Sequence, residues 1–222
     1  MEIVAAAPPS ERPADFVLFL QQRADRLKRT RPKRARTRAQ LLASAAREIA
    51  EGGYDRLTID NICQNAGLAR GTFYLYFKHR SDIAVAVIRL FWAHVHVRRP
   101  RLKNAELKDR VAATNLYYLQ NYAMNAGLLA GHAALLSERP DFALRQDRMN
   151  DLWSRRVAAN FPSSRIDNDT KLLRARALVS MADELLRSIF TDRTPSLKHW
   201  ADDPERLAQS LTDLWLRVAF DA

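Results

Sequence analysis

Arg70 and Tyr74 stand four residues apart, with Gly71 between them, in the segment Gly67-Leu68-Ala69-Arg70-Gly71-Thr72-Phe73-Tyr74-Leu75-Tyr76-Phe77-Lys78. At helical spacing the two side chains share a face, and the side chain missing at Gly71 lets a second molecule approach it closely. A guanidinium is a planar fork that bonds two acceptors at once, as the major-groove edge of guanine offers. Phosphate contact and plain solvent exposure are the other readings of Arg70. Upstream, nine basic residues crowd into 23–38 (Arg23, Arg26, Lys28, Arg29, Arg31, Lys33, Arg34, Arg36 and Arg38) against the single acid Asp25. Such a run suits a polyanion as well as it suits a solubilising tail. Its place directly before a candidate nucleic-acid reader favours phosphate or minor-groove contact for 31–38, Arg36 included.

Other chemistries find little support. The sequence has no glycine-rich phosphate loop, no nucleophile elbow and no HExxH. His94 and His96 are two apart and point to different sides of a helix, whereas a same-helix metal pair needs a spacing of four. Cys63 is the single cysteine, so no internal disulfide framework exists and a reducing compartment fits. We therefore expect no enzyme, no metal and no cofactor. The apolar stretch near the start, 16–20, is far shorter than the roughly 20 residues that span a bilayer, and no signal-peptide layout precedes it. The expectation is a cytoplasmic protein with no membrane partner. The formal net charge of +11 is uneven: residues 1–99 hold 18 Lys and Arg against 9 Asp and Glu, the rest 18 against 16.

Positioning these groups requires helices. Residues 1–13, with Pro8, Pro9 and Pro13, read as disordered. Phe16, Leu20, Ala24 and Leu27 then recur at helical spacing, predicting an extra amphipathic helix with no evident docking partner. A helix from about 34 to 51 ends at Gly52-Gly53. Thr58 is an N-cap for a two-turn helix with Ile59, Ile62, Cys63 and Ala66 inward and Gly67 as its stop. A short helix over 69–76 follows, and Ser81-Asp82 caps a longer one to about Arg98. Two short helices around a glycine turn make a helix-turn-helix, in which Phe73 and Phe77 anchor the second helix to the core. Beyond Pro100 helices are expected near 104–125, 127–137, 141–160, 168–191 and 204–219, with Pro140 and Asp203-Pro204 as the firmest boundaries. The fold class is all-α. The domains read as 1–32, a basic N-terminal extension, partly disordered with a possible helix; 33–82, a helix-turn-helix; and 83–222, a larger helical domain.

Residues 67–78 resemble the recognition segment of the TetR family of transcriptional regulators, and the likeness extends over 38–90. The resemblance implies a dimer that binds double-stranded operator DNA, a repressor released by a small-molecule effector held in the C-terminal domain. A ligand-independent dimeric DNA-binding protein is the alternative. Carried over by motif position, Arg70, Thr72, Tyr74 and Tyr76 touch bases or phosphates, while Thr58, Lys78 and Arg80 hold the DNA backbone. Packing on the following helix is an equal reading for Tyr76. Ala69 stands where the family usually has a serine or threonine cap, so the second helix starts without one.

An effector site has a weaker trace. Tyr117, Tyr118 and Tyr122, then Met149 and Trp153, then Met181 and Phe190 fall on three expected helices, as pocket walls would, although core packing is the default. Asp183 and Glu184 interrupt an apolar helix, and a buried carboxylate needs a partner; either Asp183 fixes a polar group of the ligand or Arg187 pairs with it. The candidate set is Tyr118, Tyr122, Met149, Trp153, Met181 and Asp183, for a small, largely apolar effector. Broad apolar stripes on 168–191 and 204–219 suggest a homodimer through those helices.

Overall fold

Apolar residues at spacings of three and four govern the chain throughout, and every regular element among the described residues is helical. This is a computed structural model, and it describes residues 15–30, 32–161 and 166–220. The expected disorder of 1–13 lies outside them. The chain divides into two compact units, one of residues 14–94 with 124–143, the other of 95–123 with 144 onward.

The first unit carries the helix-turn-helix. Its helices are α1 (Phe16–Thr30), α2 (Lys33–Gly52), α3 (Ile59–Ala66), α4 (Arg70–Tyr74) and the greater part of α5 (Arg80–Arg98), with α7 (Ala126–Leu129) and α8 (His132–Glu138). The docking partner of α1 is now clear. Phe16, Leu20 and Ala24 are buried, and the helix packs on α2. The Phe16 ring meets Phe91 of α5 edge-on, with centroids 5.5 Å apart, and Phe19 lies 4.3 Å from the His94 ring. The Phe16 N–H donates to Asn125 Oδ1 at 2.9 Å, which satisfies one of the orphan donors at a helix start. At the other end, Arg36 Nη1 donates to the Lys28 carbonyl. The 33–38 part of the basic stretch is the first two turns of α2, not a free arm; Arg31 lies outside the described residues.

One helix expected over 127–137 is two. α7 and α8 are separated at Ala130-Gly131, where the chain lies against α2 and the turn after it. A Cβ on Gly127 would lie 2.4 Å from the Ala50 carbonyl oxygen, and one on Gly131 2.2 Å from Tyr54 Cβ. Neither position has room for any other residue. α9 (Pro140–Ala158) begins on its proline, a first-turn position that needs no N–H donor.

The second unit holds α6 (Leu107–Met124) up to 123, α9 from Leu144, α10 (Asn168–Leu186) and α11 (Pro204–Phe220). Asp167 caps α10 by accepting from Thr170 N at 2.9 Å, and Asp203 caps α11 by accepting from Arg206 N at 3.1 Å. The helix expected to run to 191 leaves α geometry at Leu186 and finishes as one wide π turn over Arg187–Thr191. Arg187 spans that turn, paired with Glu184 before it and Asp192 after it. Apolar residues of both helices (Ala175, Leu178, Ala182 and Leu186 of α10; Leu207 and Leu211 of α11) are buried, and the two helices are in contact.

Candidate nucleic-acid interface

The Thr58 hydroxyl accepts from Asn61 N at 3.1 Å and starts α3. Gly67, with φ 65° and ψ 37°, ends it: Leu68 N bonds the Cys63 carbonyl and Gly67 N that of Gln64. This paired closure needs a left-handed residue, and it is the conformation, not crowding, that requires glycine there. Inside, Ile62 and Cys63 are buried, and Ser44 of α2 bonds the Ile62 carbonyl at 2.8 Å.

Five residues cannot hold a helix by themselves, and α4 is indeed held from outside. Phe73 is fully buried and Phe77 nearly so, their rings 5.8 Å apart. The Arg38 guanidinium of α2 covers the Phe77 ring at 5.5 Å. Ala69, at the N-cap, makes no side-chain cap bond, as its residue type dictates. The helix is shorter than expected, with Leu75 and Tyr76 in the turn that follows.

With Phe73 and Phe77 inward, Arg70, Gly71, Tyr74, Leu75 and Lys78 are exposed, while Thr72 and Tyr76 are half-buried. Nothing of the protein lies within 4 Å of a Cβ added at Gly71, so the fold itself places no steric demand for glycine there. Leu75 is 74% exposed. The helix expected over 69–76 would have contained it, but α4 ends at Tyr74. Arg70 is engaged on the protein surface: Nη1 donates to Asp60 Oδ1 and Oδ2 at 3.0 and 3.1 Å, and Nη2 to Tyr74 Oη at 3.4 Å. Asp60 is ten positions away, and no local pattern singles it out.

Arg80, expected at the DNA backbone, is also engaged within the fold. Its Nη1 donates to the carbonyls of Tyr54, Asp55 and Leu57 at 3.1 to 3.3 Å, the guanidinium covers the Tyr54 ring at 4.7 Å, and Nη2 lies 3.7 Å from Glu138. It holds the link between α2 and α3. Tyr54 is donor to Glu138 at 2.6 Å; burial, then that carboxylate, push its phenol up to about 12. The expected Ser81-Asp82 cap is also rearranged. α5 starts at Arg80, and Asp82, in its first turn, reaches back to accept from His79 N and Lys78 N at 2.9 and 3.1 Å. Its other oxygen takes Arg139 Nη1 at 2.6 Å, and Arg139 also donates to Ser81 Oγ. Burial raises the Asp82 pKa, but the hydrogen bonds from Arg139 and His79 outweigh it and hold the carboxyl below its ordinary range.

In the second unit the structure joins two of the effector candidates. Tyr118 Oη donates to Asp183 Oδ1 at 2.7 Å. Burial pushes both groups up, Tyr118 well above the ordinary phenol range. The alternative partner for Asp183 is ruled out, since Arg187 is taken by Glu184 and Asp192. Tyr122 is buried, and Trp153 is half-buried under Arg99, 5.3 Å from its ring, and beside His96. Met149 and Met181 face outward instead, because neither falls on the buried stripe of its helix. Among the described residues no cluster of three metal-ligating side chains occurs, and no helix is long and apolar enough to cross a membrane.

Comparison with known proteins bears on the first unit most directly. Residues 41–87 match the family model of bacterial regulatory proteins, tetR family. A "Fatty acid metabolism regulator protein" of Bacillus subtilis is 38% identical over 63 residues, 28% of this chain and 30% of that protein. The HTH-type transcriptional regulator TtgR of Pseudomonas putida is 31% identical over 74 residues, 33% of this chain and 35% of its own. The chain thus spans well under half the length of these relatives, all of them named as regulators and none as an enzyme. For the fold, a tetR-family regulator from Streptomyces coelicolor superposes with a TM-score of 0.64 at 16% identity, over 82% of this chain and 79% of that one. The fatty acid degradation regulator FadR of Bacillus halodurans gives 0.55 at 16%, over 81% and 94%.

Proposed function

We propose that this chain, whose residues 41–87 match the family model of bacterial regulatory proteins, tetR family, is a homodimeric repressor of transcription. It grips double-stranded operator DNA with α3 and α4 and lets go when a small, largely apolar effector binds in the unit of residues 95–123 and 144 onward. The observation that carries the reading is the division of α4 and the turn after it: aromatic anchors at Phe73 and Phe77 are buried, while Arg70, Gly71, Tyr74 and Lys78 face solvent. That is the arrangement by which a short helix enters a major groove. Gly71 adds to it, because a glycine in a helix is costly and no neighbour in the fold demands one. Close approach by DNA supplies the reason. The base and phosphate contacts we assign are Arg70, Gly71, Thr72, Tyr74, Tyr76 and Lys78, with Thr58 and Arg36 at the margin.

The second reading, a dimeric DNA-binding protein without an effector, draws on the Tyr118–Asp183 bond, in which each group has a partner within the chain. Fluorescence anisotropy with DNA from upstream of the protein's own coding sequence, over a salt series and against a metabolite library, separates the two. Tight, salt-steep binding relieved by one compound supports a ligand-released repressor. Tight binding that nothing relieves supports the second reading, and no preference for any duplex sinks both.

A further inference from the structure

We infer that Asp60 is a positioning residue for base reading: it holds Arg70 at the exposed face of α4, so that the guanidinium addresses a base edge and not the phosphates. The inference rests on the DNA-binding reading above. Arg70 is a long, exposed side chain, yet it is held at three points on two helices: both oxygens of Asp60, the second residue of α3, take Nη1, and Tyr74 Oη, at the last residue of α4, takes Nη2. A guanidinium carries five N–H donors. Those not spent on Asp60 and Tyr74 remain for acceptors outside the chain.

The charges decide between the two roles of such an arginine. An acid on a surface that meets DNA repels phosphates, and paired with Asp60 the arginine presents almost no net charge to a distant phosphate. The pair therefore adds little to general attraction. What it provides is a fixed direction, which a two-acceptor contact with guanine needs and a point contact with phosphate does not. Favourable placement of an acid in the first turn of α3 accounts for Asp60 alone, but not for its grip on a side chain from the next helix. Without the carboxylate, Arg70 keeps its charge and loses its aim.

The full-length wild type, Asp60→Asn, Arg70→Ala and the double variant are titrated by anisotropy against a duplex that wild type enriches from a random pool, and against a scrambled duplex of equal length. For Asp60→Asn we expect tighter binding to the scrambled duplex and a log–log salt slope steeper by about one, as a freed arginine finds a phosphate. The ratio of selected to scrambled affinity falls by about fivefold or more, the lower end of what a two-acceptor base contact is worth. Asp60→Glu recovers part of the ratio, and in the Arg70→Ala background Asp60→Asn leaves it unchanged. A ratio preserved in Asp60→Asn overturns the inference, as does an equal loss with and without Arg70; melting curves by circular dichroism identify a loss of fold. If wild type enriches no sequence at all, the DNA-binding reading fails and takes this one with it.

Discussion

Arg80 shows how a single side chain changes meaning once its surroundings are known. By motif it is a cation beside a DNA reader; in the fold it bonds three carbonyls of the 54–57 link and covers Tyr54. Carbonyls that turn away from any helix need donors, and charge-assisted bonds are the stronger kind. Arg80→Ala should therefore lower stability by about 2–3 kcal/mol, read in urea unfolding. An unchanged unfolding midpoint with weakened, salt-sensitive DNA binding would return Arg80 to the phosphates. Asp82 makes the complementary prediction for pH. Its pKa is lowered in the folded state, so the unfolded chain takes up the proton first. The stabilisation is complete above the ordinary carboxylate pKa of about 4 and drains away as pH falls through it towards the lowered value. Wild type should thus be more stable than Asp82→Asn at pH 7, with the gap closing as pH falls below about 5. A gap independent of pH would assign the loss to geometry alone.

At the scale of the element, α1 is the clearest case of a helix that packing completes. Its apolar positions predicted a helix and a buried face but not the surface that buries it. That surface is α2 and the Phe91–His94 stretch of α5, with Asn125 receiving the first N–H. Phe16→Ala removes a fully buried ring from this seam. It should cost about 3–5 kcal/mol if α1 unfolds together with its unit. Thermal melting measures that, and limited trypsin digestion at Arg23, Arg26 and Lys28 reports whether α1 has come loose. Rapid cleavage with an unchanged melting temperature would mean that α1 is an appendage. The short α4 depends on its neighbours in the same way, through Phe73 and Phe77.

For the whole molecule, exposed apolar residues bear on self-association. Leu173 is 69% exposed and shares a side of α10 with Ala177 and Met181, at spacings of four; on α11, Leu214 is also exposed. These are surface positions, so charging them tests the proposed dimer without breaking a core. Leu173→Asp should give monomers in light scattering that keep the helical circular-dichroism signal of wild type, melting lower only by what association contributed. An intact dimer would remove this face of α10 from the interface. Leu211, by contrast, is 3% exposed, and an acid there would damage the fold before it reported on assembly. On the proposed reading, the positive charge of the first 99 residues would act at the same scale, attracting DNA over a distance of about a Debye length.

Much about this protein was already determined by sequence, because the signals involved are local. Helical periodicity, Thr58, Gly67, Asp203 and Pro204 each act within a few residues, and they set the all-α class, the helix-turn-helix and most helix limits. Phe73 and Phe77 four apart were enough to tell the buried side of α4 from the exposed one. Only the tertiary structure decided what depends on partners far along the chain. Arg70 finds Asp60, Arg80 finds the 54–57 carbonyls, Tyr118 finds Asp183 across 65 positions, and α1 finds α5. The split of α7 from α8 belongs with these, since Gly127 and Gly131 are glycines only because the backbone of α2 and the turn after it lie against them. A side chain's local pattern states what it is able to bond; which group it does bond is set by the packing that brings distant residues within bonding distance.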